Sequence, residues 1–441
     1  VNSIGVDDAF YQLGNRDSLM WLRARIDRGD IMATGIELSD RVIDLGHAGI
    51  SGVNVWMRML PDTMPVPADT AAASPWLVKA NGIDIADVTY SMSMAPLIDS
   101  LGCHIDKASL RKAVVDMNTY RITGRSLAID SVDVAYIYPA VTDSQAAVSP
   151  ADEETESSSQ LWTITADTLR LTGRSALYAE KGAVPLDGFD PAYIQASQIS
   201  VEIDSFYNRG TDIKVPLRKL DATERCGLPL HADGLFTMDS SMMTASAFTL
   251  STLRSILHVD ASMGIGDLTT DESLPITLKG HGAIDPADVA VAFPAMRAML
   301  APLKLTSVYT DIEGTAAALN VYALHLAMPD VMRLEGEGTI DYPFNPDKIG
   351  GGIGLNGQLA TLTDKQYPFL PIKMVPALQM QANVEYHPGE AGGDVNVVTR
   401  TGRLTAGGSW TASTEEYDAD IELDRFPIEI FMPELGLAQL S

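Results

Sequence analysis

The chain has 441 residues, 46% hydrophobic and 7% aromatic, and 58 acidic against 31 basic side chains give it a formal charge of −27. The apolar share excludes disorder, and the negative field disfavours nucleic acid and any anionic membrane surface approached through a basic patch. No run of 18 apolar residues exists to span a bilayer, and the length suggests two or three domains.

The chain begins at Val1 without a basic-then-apolar leader and reads as a processed or excised piece. Asp7–Leu13 is a short helix candidate. Pro61–Ser74, rich in Pro, Ala and Asp, reads as a loop, and Ala95–Leu101 is a second helix candidate. Thr142–Gln160 has many acids and serines and no apolar period. It reads either as a linker between a first β-region, 1–141, and a longer one, 161–441, or as a long solvated loop within one sheet.

Beyond it the dominant signal has a period of two, the spacing at which strand side chains return to the same face. Ile199, Val201 and Ile203 alternate with polar residues, as do Leu228 to Met238, and Asp239-Ser240 marks a turn. Ile276 to Ile284 follows the same rule. Asp285 as N-cap and Pro286 in the first turn then open a helix towards Leu300, interrupted at Pro294. The alternation resumes at Met332–Tyr342, Leu378–Tyr386, Leu404–Ala412 and Tyr417–Leu423, with a turn expected at Glu390–Gly393. Gly352–Gly357 spells G-x-G-x-x-G, but the following Gln358–Thr363 alternates like a strand. The dinucleotide fingerprint requires a helix there, so the glycines read as a turn into another strand.

One dry face per strand favours an antiparallel sheet, because a sheet covered on both sides shows continuous apolar runs. The expected strands of nine to eleven residues would each extend roughly 30–35 Å. The dry face mixes aliphatics with glycines at 280, 282, 336, 338, 357 and 408. These mark bulges, room for a ligand, or gaps filled by neighbouring side chains.

Catalytic and metal signatures are absent from this pattern. The seven histidines lack ligand spacing, no G-x-S-x-G elbow occurs, and the acids fall on the wet positions of strands. Asp418, Asp420, Glu422 and Asp424 lack the turn glycine and closing Glu of a calcium loop. The five tryptophans are scattered, without the grouped platforms of a polysaccharide-degrading enzyme. The expectation is no enzyme, cofactor or metal. Cys103 and Cys226 are either two half-buried thiols or a bridge.

Phe189–Asp239, "FDPAYIQASQISVEIDSFYNRGTDIKVPLRKLDATERCGLPLHADGLFTMD", resembles the TamB family, the translocation and assembly module among the AsmA-like proteins of Gram-negative envelopes. "WLRARIDRGDIMATGIELSDRVIDLGHAGISG" and "LWTITADTLRLTGRSALYA" are similar to it as well, and the likeness runs through most of the chain. The resemblance implies a mostly β protein. Its long, antiparallel, strongly twisted sheet would curl into an open, taco-like groove, with few short helices. It implies a periplasmic location with the full-length protein anchored in the inner membrane. It also implies a role in phospholipid movement or outer-membrane protein assembly. The family's anchor and C-terminal region are not evident here, so the chain is expected to be an internal or N-proximal segment. An outer-membrane partner would then engage regions outside it.

With that resemblance, the dry face becomes a groove for phospholipid acyl chains. Its expected lining is Leu278, Gly280, Ile284, Met332, Leu334, Ile340, Leu378, Met380, Val384, Leu404, Trp410, Ile421 and Leu423. The alternative is an envelope scaffold or partner binder with the same sheets closed over a dry core.

Overall fold

The computed structural model describes residues 3–14, 20–59, 76–94, 98–140, 161–368 and 374–427. The protein is mostly β, built from a long and predominantly antiparallel sheet that is not closed into a barrel. It divides into two compact units, Val1–Thr237 and Met238–Ser441.

The first unit contains β1 (Ser3–Leu13), β2 (Met20–Glu37), β3 (Val42–Met59), β4 (Leu77–Met94), β5 (Ile98–Asp116), β6 (Arg121–Tyr138), β7 (Thr163–Glu180), β8 (Tyr193–Arg209), β9 (Asp212–Glu224) and β10 (Pro229–Met238). Each strand pairs with the next in the chain. Strands β2 to β8 run 17 to 19 residues, well beyond the expected nine to eleven.

Two pairs depart from the antiparallel rule. β3 and β4 are parallel, from Val42 opposite Leu77 to Met59 opposite Met94, and β6 and β7 are parallel as well. A parallel neighbour can pair only after the chain has returned the length of a strand. The Pro61–Ser74 and Thr142–Gln160 stretches fall at these two crossovers and lie outside the described residues. Thr142–Gln160 therefore sits between two paired strands of one unit, and the division into units comes later, after Thr237.

Both weak helix candidates are overruled. Asp7–Leu13 belongs to β1, held by register pairs from Asp7–Arg28 to Leu13–Leu22. Ile98–Leu101 opens β5, while Ala95–Leu97 lies outside the described residues. In both cases the ladder of a long neighbour outweighs local preference.

The long strands do not keep one alternation throughout. Val53 and Val55 of β3 share the apolar face, but beyond Gly52 the face is taken by Ile50 and Ala48. The same three-residue step occurs from Ile26 to Gly29, Val88 to Ile85, Ile105 to Ala108 and Val132 to Ile129. The steps align across neighbouring strands. Left-handed residues Asp8, Gly52, Asp87 and Ser131 lie on this line in β1, β3, β4 and β6. Each breaks the two-residue alternation by one position, and the facing strands break at the same level, so the ladders from β1 to β6 stay in register across the line. At Gly52 (φ +67°), a Cβ would lie 2.4 Å from the Asp27 carboxylate.

The second unit contains β11 (Met242–Ser251), β12 (Ile256–Gly264), β13 (Pro275–Ile284), β14 (Thr306–Thr315), β15 (Ala318–Met328), β16 (Met332–Asp341), β17 (Gly350–Leu359), β18 (Leu362–Thr363), β19 (Met374–Val375), β20 (Leu378–His387), β21 (Glu390–Thr399), β22 (Arg403–Thr411) and β23 (Glu416–Asp424). β18 and β19 form a small separate ladder. The others pair antiparallel in chain order, with β17 meeting β20. Between β13 and β14 lie α1 (Pro286–Ala292), a 3-10 turn at Pro294–Met296 and α2 (Arg297–Leu300). Asp285 caps α1 by accepting from the Ala287 amide at 2.8 Å, and Pro294 ends it as expected.

Two turn assignments shift. Glu390–Gly393 is the start of β21, and the reversal is the Pro388-Gly389 pair, with Gly389 at φ +84°. Gly352–Gly357 lies inside β17, so these glycines are strand rather than turn, and β17 ends at Leu359.

Candidate functional site

Directly opposed residues in a ladder project from the same side of the sheet. In the second unit this rule produces unbroken rows across the strands. One runs Ala261, Leu278, Ile312, Val321, Gly338, Ile353, Val384, Gly393, Gly408 and Ala419. The next runs Val259, Gly280, Thr310, Leu324, Gly336, Leu355, Ala382, Val395, Ala406 and Ile421. A third runs Leu257, Gly282, Val308, Leu326, Leu334, Gly357, Met380, Val397, Leu404 and Leu423. Thr310 is the sole polar side chain in the three.

All thirteen residues expected to line the groove project from this face. Ile340 and Trp410 belong to a row through Gly351, Tyr386 and Ala391. Ile284, Met332 and Leu378 stand at the opposite end, where Met332 is opposed by Leu359, which in turn pairs with Leu378. The other face of the same strands carries Lys279, Asp311, Glu335, Glu337, Gln381, Asn396, Asp418 and Asp420.

Cover over the apolar face is uneven. Near Met332 it is closed by a cluster of Met328, Val331 and Tyr367, packed against Leu303 and Leu362. Towards β23 the cover disappears: Val384 is 48% exposed, Trp410 46% and Ile421 68%. Among the described residues no large side chain is fully buried. Met332 thus belongs to a small closed core, while Val384, Trp410, Ile421 and Leu423 are exposed and Met380, Val395, Val397, Leu404 and Ala406 are half-buried.

The glycines do not leave holes for a ligand. A Cβ on Gly338 would lie 2.1 Å from the Gly352 carbonyl oxygen, so the adjacent backbone excludes any side chain there. Gly336 is covered by Leu355, and Gly357 by Leu334 and Met380. Neighbouring side chains fill these gaps, and the lining is smooth.

The first unit has an equivalent apolar face that period-two reading did not reach: Leu22, Val55, Tyr90, Cys103 and Val134, then Ile50, Ile85, Ala108 and Ile129 beyond the line of left-handed residues. The available signal was the three-residue step recurring at Asp, Gly or Ser. Its opposite face is laced by ion pairs. Arg174 bridges Asp106 at 2.7 Å and Asp133 at 2.5 Å, and its hydrogen bond holds the Asp133 carboxyl below the usual range. Cys103 and Cys226 are free thiols, and burial pushes both thiols up.

Among the described residues no group of three or more His, Cys, Asp or Glu is arranged to hold a metal ion, and no helix is long and apolar enough to cross a membrane. No family model matches the chain, and no curated protein or solved structure matches it either.

Proposed function

We propose that the apolar face of the second unit shields phospholipid acyl chains from water. On this reading the chain is a periplasmic segment of an envelope protein of the TamB or AsmA-like kind. It serves lipid movement between membranes, or the assembly of outer-membrane proteins through regions beyond this chain. One observation carries the reading: three in-register apolar rows cross the strands from β12 to β23 and become uncovered towards β23. Each methylene moved from water onto such a lining is stabilised by about 0.8 kcal/mol. Because the glycine gaps are filled, no position holds a chain much more tightly than its neighbour, which permits sliding.

Native mass spectrometry of the chain purified without detergent, followed by organic extraction, tests the proposal. Phospholipid is expected in the wild type and absent from Ile421→Asp and Val384→Asp. Both sites are exposed, so these variants should fold with stability changed by less than about 0.5 kcal/mol. A lipid-free wild type would instead favour the scaffold reading, which rests on the closed Met328–Val331–Tyr367 cluster.

A further inference from the structure

One patch on the polar face of the first unit differs from the ion-paired surface around it. At three successive same-face positions an arginine stands directly opposite an aromatic ring: Phe10 faces Arg25, Arg23 faces Trp56, and Trp21 faces Arg58. The intervening Leu22 and Ala24, with their partners Met57 and Val55, turn to the apolar face. The groups interlock. The Trp21 and Trp56 rings meet edge to face with centroids 4.3 Å apart, and the Arg23 guanidinium lies 5.7 Å from the Phe10 centroid and 5.6 Å from that of Trp21. Two tryptophans distant in sequence are therefore grouped after all. They border a depression of about 800 Å³ whose floor continues through Asn54, Thr89 and Ser91. That volume lies within the range of small-molecule sites.

Charge sets the patch apart. Arg25 finds carboxylates, with Asp8 at 3.0 Å and Asp27 at 3.1 Å. Among the described residues Arg23 and Arg58 have no carboxylate at ion-pair distance, in a chain with 58 acidic side chains. Their guanidinium forks are free to engage an anion from outside, and such forks match phosphate and carboxylate in two-point geometry. The rings offer flat apolar walls, and the Asn54 amide and the Thr89 and Ser91 hydroxyls offer donors and acceptors in one place.

We propose that this depression binds an acidic saccharide, a sugar ring bearing phosphate or carboxylate. The arginines take the anion, an indole face takes the C–H face of the ring, and Asn54, Thr89 and Ser91 take its hydroxyls. Inorganic phosphate would use the arginines alone. A phospholipid headgroup fits less well, because its acyl chains would have to lie on the polar face that carries the patch.

Two of the five tryptophans report on the site. Glucose 6-phosphate, glucuronate, glucose and inorganic phosphate are titrated into the chain at low salt, followed by tryptophan fluorescence and calorimetry. One or both acidic sugars should saturate, with glucose and phosphate at least about ten-fold weaker. Arg58→Gln, at an exposed position, should weaken the acidic sugar about ten-fold at an unchanged thermal midpoint, and Trp56→Leu should do likewise. If Trp56→Leu lowers the midpoint, Arg58→Gln alone decides. The proposal is overturned if neither acidic sugar saturates at millimolar concentration, if inorganic phosphate binds as tightly, or if Arg58→Gln changes nothing. Fluorescence changes with phosphatidylglycerol vesicles that the acidic sugars do not displace would overturn it too.

Discussion

Asp288 ties the loop between β11 and β12 to α1. One carboxylate oxygen accepts from the Arg254 amide at 2.9 Å, the Ser255 amide at 2.9 Å, the Ser255 hydroxyl at 2.8 Å and the Thr252 hydroxyl. Burial raises its pKa, but these hydrogen bonds outweigh burial and leave it below the ordinary value. Replacing Asp288 with Ala strands the two amides and should cost about 2–3 kcal/mol in urea unfolding. Because the folded pKa is lowered, the stabilisation is complete above the ordinary aspartate value and fades as pH falls through the lowered one. The gap between wild type and Asp288→Asn should therefore stay constant near neutrality and narrow in acid; a gap that widens on acidification contradicts the assignment. Gly338 sets a second residue-level limit. Gly338→Ala forces a Cβ against the Gly352 carbonyl and should cost about 2–3 kcal/mol, read as a lowered urea midpoint.

At the scale of elements, legibility followed the left-handed residues inside strands. β13, β16, β20, β22 and β23 were readable from alternation because none contains a left-handed residue in its middle. β11 was not, because Ala247 (φ +49°) steps its apolar set from Ala245 to Phe248. The long strands of the first unit step by three without losing register, so alternation fails after a few beats in β3, β4 and β6. β23 ends the described ladder, pairs only with β22 there, and is exposed throughout. Its amides should exchange with deuterium fastest among the second unit's long strands, and those of β15 and β16 slowest. Equal protection would mean that a further layer covers β23.

At the scale of the whole molecule, strands pair with sequence neighbours, and among the described residues no large side chain on either apolar face is fully buried, even beside the Met328–Val331–Tyr367 cluster. Ordinary domains bury such a face against another layer. The native chain should therefore bind an apolar fluorescent dye such as ANS without denaturant, and added phospholipid should compete for the same surface. A native state that leaves the dye dark would show that the face is covered in solution. Ile421→Asp should reduce the dye signal with little change in unfolding midpoint, whereas Leu334→Asp should also destabilise by about 2–3 kcal/mol, because Leu334 packs over Gly357.

Alternation by itself determined strand and face, and put the thirteen residues on one side of the sheet, because a period of two commits each side chain to one side of a pleated backbone. Asp285, Pro286 and Pro294 likewise announced the helical excursion between β13 and β14 through local chemistry. Tertiary structure alone decided which strands are neighbours, since many apolar strands have interchangeable patterns. It made β3–β4 and β6–β7 parallel, and it aligned the left-handed residues of separate strands into one line. It also placed Trp21 against Trp56 and opposed three arginines to three rings. Those are relations between residues distant along the chain, fixed by register rather than by spacing in any one segment.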